Sequence, residues 1–259
     1  MLRDVLQKAA AFELLTIIIF LAGCQQQAVL PSPDVTDSAT TSLYPAVVEV
    51  ILPGGTALCS GTFISPNTVL TASHCAPTSG TYTVLAAWGT FTTSVKINFG
   101  PGTVTDPNDM ALLVFSQSVA SVSQGQVLGV SSLVNVGDIL RLVGYGCDNI
   151  VSKVGAGIKR TGTNVLSSID SYLEFVTPSG DWSQAILGPD NRAGSCFGDS
   201  GGPSLATDTS GNVTVAGIAH AGGNEGAQLD SEYVNITESD NRAWLNQANT
   251  TYDLNVVGL

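Results

Sequence analysis

Positive charge is scarce in this chain. Only 9 Lys and Arg stand against 21 Asp and Glu in 259 residues, a formal net charge of −12. A nucleic-acid footprint needs a basic face, so nucleic acid is excluded as a partner, and no basic patch exists to draw the chain to anionic lipid. Histidine is rarer still at 2 residues, and the 5 cysteines include no Cys-x-x-Cys pair. That leaves no usual ligand set for zinc, and neither a metal nor a cofactor is expected. No repeat at a solenoid period is evident. The apolar run from Leu14 to Ala22 is too short to cross a bilayer as a helix. Charged residues make up 12% of the chain, hydrophobic residues 44%, and Gly reaches 28. With many Ser, Thr and Val, this composition suggests β-rich structure joined by turns. The length is enough for one large all-β unit or two small domains.

The N-terminus has the anatomy of a targeting segment and is set apart from the fold. Arg3 and Lys8 precede the apolar run, which ends in Leu21-Ala22-Gly23-Cys24. This tetrapeptide resembles a bacterial lipobox, in which the cysteine is lipidated and becomes the first residue of the mature chain. An ordinary signal peptide, or a core helix with Cys24 incidental, are the alternatives. Residues 25–42 lack periodicity and aromatic side chains, and read as a flexible tether. The expected organisation is a signal peptide over 1–23, lipidated Cys24 and tether over 24–42, and a fold starting near Leu43. Such a chain is exported, and is either held at a membrane by lipid on Cys24, in the periplasm or at the cell surface, or secreted.

The stretch around which the rest is organised is Gly194-Ser195-Cys196-Phe197-Gly198-Asp199-Ser200-Gly201-Gly202-Pro203. Glycine and proline weaken helix interiors and central strands alike, so the run is a tight loop that holds one hydroxyl exposed. An isolated Gly-Asp-Ser would be a plain surface turn. The longer run from Gly198 to Pro203 is similar, residue for residue, to the nucleophile loop of the chymotrypsin–trypsin family of serine proteases. The other motifs of that family are also present. Val69-Leu70-Thr71-Ala72-Ser73-His74-Cys75 resembles the segment that delivers its histidine, and Asn108-Asp109-Met110-Ala111-Leu112-Leu113 its aspartate motif. The order His, Asp, Ser along the chain is the family's order too. Apart from any resemblance, the unbroken apolar run Met110–Phe115 reads as a strand buried on both faces.

The resemblance covers about residues 43–248 and implies an all-β fold: two six-stranded antiparallel β-barrels, over 43–125 and 126–236. A C-terminal helix and tail over 237–259 complete it. It implies a serine endopeptidase acting on polypeptides, a monomer, with His74, Asp109 and Ser200 as catalytic residues. His74 would take the Ser200 proton and pass it to the leaving amine, with Asp109 orienting its ring. The N–H groups of Gly198 and Ser200 would form the oxyanion hole. Cys59 and Cys75 match the disulfide that holds the histidine hairpin. In trypsin-like relatives the cysteine in the place of Cys196 pairs downstream of the nucleophile, but none follows here, so Cys147–Cys196 is expected. Disulfides require an oxidising compartment.

Two departures from the family stand out. The usual mature N-terminus, whose amine pairs with the aspartate corresponding to Asp199, has no counterpart between Gln25 and Tyr44. Asp199 therefore has another partner, or cleavage at an unusual site, such as before Val35, supplies the amine. Trypsins also carry an aspartate six residues before the serine, where this chain has Gly194, which disfavours cleavage after Lys or Arg. Gly222 and Ser231 look like the other pocket positions, and apolar or aromatic side chains are the first expectation. His220 opens an acidic alternative, because some glutamate-specific relatives use a histidine near this strand. Counted from Gly217, His220 falls one residue past that place, nearer Asp109. A non-catalytic binding protein on the same fold remains the alternative to an enzyme. An esterase is less compatible, because the Gly-x-Ser-x-Gly elbow is absent.

Overall fold

The computed structural model describes residues 42–259 except 56, 104, 131–132, 149–152, 178–192 and 226–227. The expected signal peptide, the lipidation at Cys24 and the tether up to residue 41 lie outside the described residues. No described helix is long and apolar enough to cross a membrane.

Seven antiparallel strands form the first sheet: β1 (Val47–Ile51), β2 (Leu58–Ser65), β3 (Thr68–Thr71), β4 (Tyr82–Ala86), β5 (Gly89–Thr93), β6 (Val95–Asn98) and β7 (Ala111–Val114). Their spatial order is β5-β4-β1-β2-β3-β7-β6. The β-branched and aliphatic residues Val47, Val50, Val69, Leu70, Leu112 and Leu113 are buried along these strands. Fully burying side chains of this size stabilises by roughly 1.5–3 kcal/mol each. Met110 and Phe115 are buried at either end of β7, so the apolar run is enclosed as its pattern implies. The count is seven and not six because the chain from Gly89 to Asn98 is not one strand but bends at Ser94. There Thr93 Oγ1 donates to Val114 O at 2.5 Å and accepts from Val95 N at 3.1 Å. The edge strands β5 and β6 are thus joined by one residue, and the sheet curls until its two edges meet.

The second sheet holds β8 (Gly129–Val130), β9 (Ile139–Gly144), β10 (Arg160–Val165), β11 (Ser168–Ile169), β12 (Tyr172–Thr177), β13 (Pro203–Thr207), β14 (Val213–Glu225) and β15 (Gln228–Asn235). The order is β10-β9-β13-β14-β15-β12-β11, with β8 paired to β14 in parallel. Six of the eight are full strands; β8 and β11 are two-residue additions. Strand β10 has no apolar alternation to announce it. Its buried positions are Arg160, Thr161, Gly162 and Asn164, and the polar ones are held by hydrogen bonds such as Asn164 Nδ2 to Ala193 O at 2.8 Å.

Helix α1 (Ser239–Tyr252) closes the chain. Glu238 caps it by accepting from the N–H groups of Asp240 and Asn241, which meets two of the unpaired donors of the first turn. Leu245 and Ala248 enter the core shared with Val47, Val50 and Leu70, and Trp244 stacks on Phe99 at 5.0 Å. The C-terminal helix therefore clasps the N-terminal sheet. A second apolar cluster, including Leu140, Leu173, Phe175 and Tyr233, fills the second sheet.

Candidate active site

His74 is delivered by β3. The chain leaves the sheet at Ala72 and enters a 3-10 turn, Ser73–Cys75, whose position is heavily constrained. Ser73 Oγ lies 2.8 Å from Gly100 O and 3.0 Å from Met110 O, and accepts from Asn98 Nδ2 at 2.9 Å. The disulfide Cys59–Cys75 ties the turn to β2, with 6.1 Å between Cα atoms. Gly102 lies against the histidine backbone with φ +72°, and a Cβ there would sit 2.4 Å from His74 N. Only glycine fits that approach.

Asp109 enters at the mouth of β7 and is fully buried, whereas the His74 side chain is 31% exposed. The carboxylate grips the histidine twice: Oδ1 accepts from His74 N at 2.8 Å, and Oδ2 lies 2.6 Å from His74 Nδ1. The same Oδ2 lies 2.6 Å from Nδ1 of His220, on β14. Burial pushes the Asp109 carboxyl up, but hydrogen bonds from His220 and His74 and the His74 charge outweigh it. The net result is a pKa lowered to about 2. An ionised carboxylate only accepts, so both Nδ1 atoms are donors, and Nε2 of neutral His74 is an acceptor.

The loop from Gly194 to Gly202 is fastened to both sheets. Ser60 on β2 donates N–H to Ser200 O at 2.8 Å, and its hydroxyl donates to Gly198 O at 2.9 Å while accepting from Tyr145 N at 2.9 Å. Gly201, at φ +81°, packs so closely that a Cβ would fall 2.1 Å from Thr71 Oγ1. These anchors aim two peptide groups. Phe197 O accepts from Cys147 N at 2.9 Å, and Asp199 O accepts from Gly202 N at 2.8 Å. A trans peptide points its N–H opposite to its C=O, so the N–H groups of Gly198 and Ser200 face away from these bonds. Neither donates to a protein acceptor among the described residues. Ser200 Oγ is not hydrogen-bonded to His74 among the described residues; such contacts often tighten only when substrate binds. The disulfide Cys147–Cys196 braces the loop from the side, as expected.

Asp199 is buried behind the loop, 6% exposed. Burial pushes its carboxyl up to about 6, opposed by the N–H groups of Cys196 and Gly146, each at 2.8 Å, and by the charge of Arg160. Gly144 and Gly146 make room for it, since a Cβ at either would fall 2.1–2.4 Å from the carboxylate. Arg160, 4% exposed, donates to the carbonyls of Gly146, Gly155 and Ile158 and pairs with Asp148 at 3.2 Å. Sequence reasoning missed Arg160; its place in a polar stretch gave no sign of burial.

Beside Ser200 opens a cavity of about 220 Å³, lined by Ser195, Cys196, Phe197, Ala219, His220, Ala221 and Gly222. The wall is mostly apolar or small, with no carboxylate or ammonium among its described residues. Phe197, 59% exposed, stands at its rim under the ammonium of Lys153, 4.1 Å from the ring centre. Ser231 pairs with Gly222 across the strands, and its Oγ accepts from Ser195 N at 2.9 Å. Gly194 is not among the residues that line this cavity. It lines a recess of about 10 Å³ with Arg160, Asp199 and Tyr233.

His74, Asp109 and His220 offer three donor atoms within 4.8 Å of one another, as do Cys59, His74 and Cys75. The cysteines are spent in a disulfide. In the first group, Nδ1 and Oδ2 stand only 2.6 Å apart. Zinc at about 2.05 Å from both would subtend about 80° between them, far below the tetrahedral angle. The distance fits a shared proton and not a shared ion.

Comparison with known families gives one match: a family model described as Trypsin aligns with residues 34–244. No curated protein matches the chain.

Proposed function

The chain belongs to the trypsin family, and from that premise we propose that it is a serine endopeptidase acting through an acyl-enzyme. Membership supports a serine-type peptidase acting on polypeptides in general, and with the two disulfides it indicates an exported protein. The finer reading assigns Ser200 as nucleophile, His74 as general base and then acid, and Asp109 as the group that fixes its tautomer. These are the roles the triad has in this family. The observation that carries it is the double grip of Asp109 on His74. It holds the ring with Nε2 outward, where a serine proton can be received. The outward N–H groups of Gly198 and Ser200 add a site for the oxyanion, and losing one such donor typically costs about 3–4 kcal/mol of transition-state stabilisation. Labelling with an active-site serine phosphonate tests the assignment. Wild type reacts and Ser200→Ala does not; a wild type inert from neutral to mildly alkaline pH ends the reading.

The preferred residue before the scissile bond is apolar or aromatic, supported by the uncharged cavity beside Ser200. Acidic specificity is disfavoured, because His220 Nδ1 is engaged with Asp109. A peptide-library cleavage profile dominated by Glu would reverse that preference. Asp199 has partners within the fold, so no new amino terminus is needed for activity. N-terminal sequencing of active protein tests this: a chain that still begins at Cys24 fits it, and one that begins at a new cleavage site, such as Val35, would refute it. Lipidation at Cys24 belongs to the same proposal and is tested by incorporation of labelled palmitate, which Cys24→Ala abolishes.

A further inference from the structure

Two histidines share one carboxylate oxygen here, and only one of them is needed to activate Ser200. His220 is 5% exposed and its ring stacks on Tyr172 at 5.2 Å, 14° from parallel. Its direction has a backbone cause. Ala219 pairs with Tyr233 and Ala221 with Glu232, so His220 is the extra residue of a β-bulge in β14. A bulge breaks the alternation of faces and re-aims one side chain. Here it aims the imidazole at Asp109 Oδ2, 2.6 Å away, with 6.3 Å between the centres of its ring and that of His74.

We propose that His220 is a positioning residue of the catalytic centre: its Nδ1–H holds Asp109 Oδ2 in place for His74, so the acid orients the base only while His220 orients the acid. This rests on the reading of His74 and Asp109 given above. Asp109 already spends Oδ1 on the His74 backbone. Without the second donor, both carboxylate oxygens would be held by His74 alone among the described residues, so no group independent of the base would fix the acid. The ionisable groups that face His220 are Asp109, His74 and Tyr172, with Glu232 acting on it through its charge.

The test uses two variants of the full chain. Asn carries a donor nitrogen on Cγ, as histidine carries Nδ1, but does not titrate; Leu carries no donor. With nitrogen-15 histidine, proton NMR of wild type is expected to show two strongly hydrogen-bonded Nδ1–H groups. In His220→Leu the remaining His74 signal moves and exchanges faster with water; in His220→Asn it stays. His220→Leu reacts roughly tenfold or more slowly with the serine phosphonate, the worth of one hydrogen bond to a charged group. On a peptide substrate the loss is in kcat, with KM little changed. His220→Asn keeps most of the rate. A His74 signal indifferent to His220→Leu, or a wild-type rate in both variants, overturns the proposal. A wild type that shows both NMR signals but no labelling sinks the peptidase reading alone, since the NMR arm needs no activity.

Discussion

Ser60 ties the first sheet to the loop that carries Ser200, and replacing it by Ala isolates that link. Its side chain is buried, donates to Gly198 O at 2.9 Å and accepts from Tyr145 N at 2.9 Å. Alanine keeps the backbone bond from Ser60 N to Ser200 O at 2.8 Å, so the strand still meets the loop. What goes is the bond on the Gly198 carbonyl, leaving a buried acceptor and the Tyr145 donor unmatched. Each unsatisfied group costs about 1–3 kcal/mol, so urea unfolding should show a loss of about 2–6 kcal/mol. The catalytic effect is separate. Complete loss of an oxyanion donor costs roughly 100- to 1,000-fold in kcat. Slackening one flank of the peptide that aims it should cost part of that, roughly tenfold. The loss should fall on kcat, because the hole is used when charge develops on the carbonyl oxygen and little in ground-state binding. The assay is steady-state cleavage of an oligopeptide beside the phosphonate labelling rate, at equal fractions of folded protein. A Ser60→Ala protein that is destabilised yet keeps wild-type kcat would show that the hydroxyl braces the fold without aiming the peptide.

Three further outcomes follow from the geometry. The Asp109 carboxyl is held at about 2 against an ordinary 3.8, so its ionised form contributes about 2 kcal/mol that is present above pH about 4 and lost as pH falls through about 2. Asp199, raised to about 6, works oppositely between pH about 4 and 6, and cancels when Asp109→Asn is compared with wild type. Urea titrations should show wild type losing about 2 kcal/mol more than Asp109→Asn between pH 5 and pH 2.5; equal losses refute the lowered pKa. Removing Cys147–Cys196 by paired Ala substitutions opens a loop of 49 residues, worth about 4 kcal/mol on the chain-entropy model. It should also lower kcat, since Cys147 N fixes the Phe197 carbonyl; unchanged kcat in the folded variant would separate brace from catalysis. Gly222→Val adds a Cβ 3.2 Å from Asp230 O and 3.4 Å from Ser195 Oγ, at a position that lines the cavity. Cleavage after Phe or Leu should fall roughly tenfold or more while cleavage after Ala is spared, the scale of a few methylenes' worth of pocket; a uniform loss would place the specificity cavity elsewhere.

What could be read from the chain in order was whatever local pattern decides. The apolar run at β7, the short motif ending in His74 and the glycine-rich loop each declare themselves within ten residues. The second disulfide, Cys147–Cys196, was reachable because the resemblance left those two thiols unmatched, and the structure forms it. Three features were not reachable, for separate physical reasons. Strand β10 is held by hydrogen bonds to buried polar groups, so hydrophobic periodicity has nothing to report. The division of β5 from β6 depends on Thr93 Oγ1 finding a carbonyl on β7, 21 residues away in sequence. The placement of His220 depends on a single bulged residue, and counting along a strand assumes that alternation is unbroken. Counting put it one step beyond the specificity position; the bulge turns that step into contact with Asp109.

Asp199 shows how polar burial completes the site. A buried carboxylate costs several kcal/mol after relaxation, and two hydrogen bonds to an ionised group return about 1.5–3 kcal/mol each. Those come from Cys196 N and Gly146 N, leaving a residual cost that the Arg160 charge reduces further. Arg160 is fixed for this by the carbonyls of Gly146, Gly155 and Ile158 and by Asp148. Every one of these groups lies between residues 144 and 199, so the seat of the anion is built by the second sheet as it folds. The polar strand β10, which looks like a weak point of the sheet, is what brings the guanidinium there. The residual cost is also informative, because it falls on the loop that carries the N–H groups of Gly198 and Ser200. An anion that could swing out to water would take Asp199 O with it and turn the Ser200 N–H away. The two glycines that admit the carboxylate, the disulfide that closes over it and the bond from Ser60 then serve one purpose: they keep a costly group buried so that two peptide donors stay aimed.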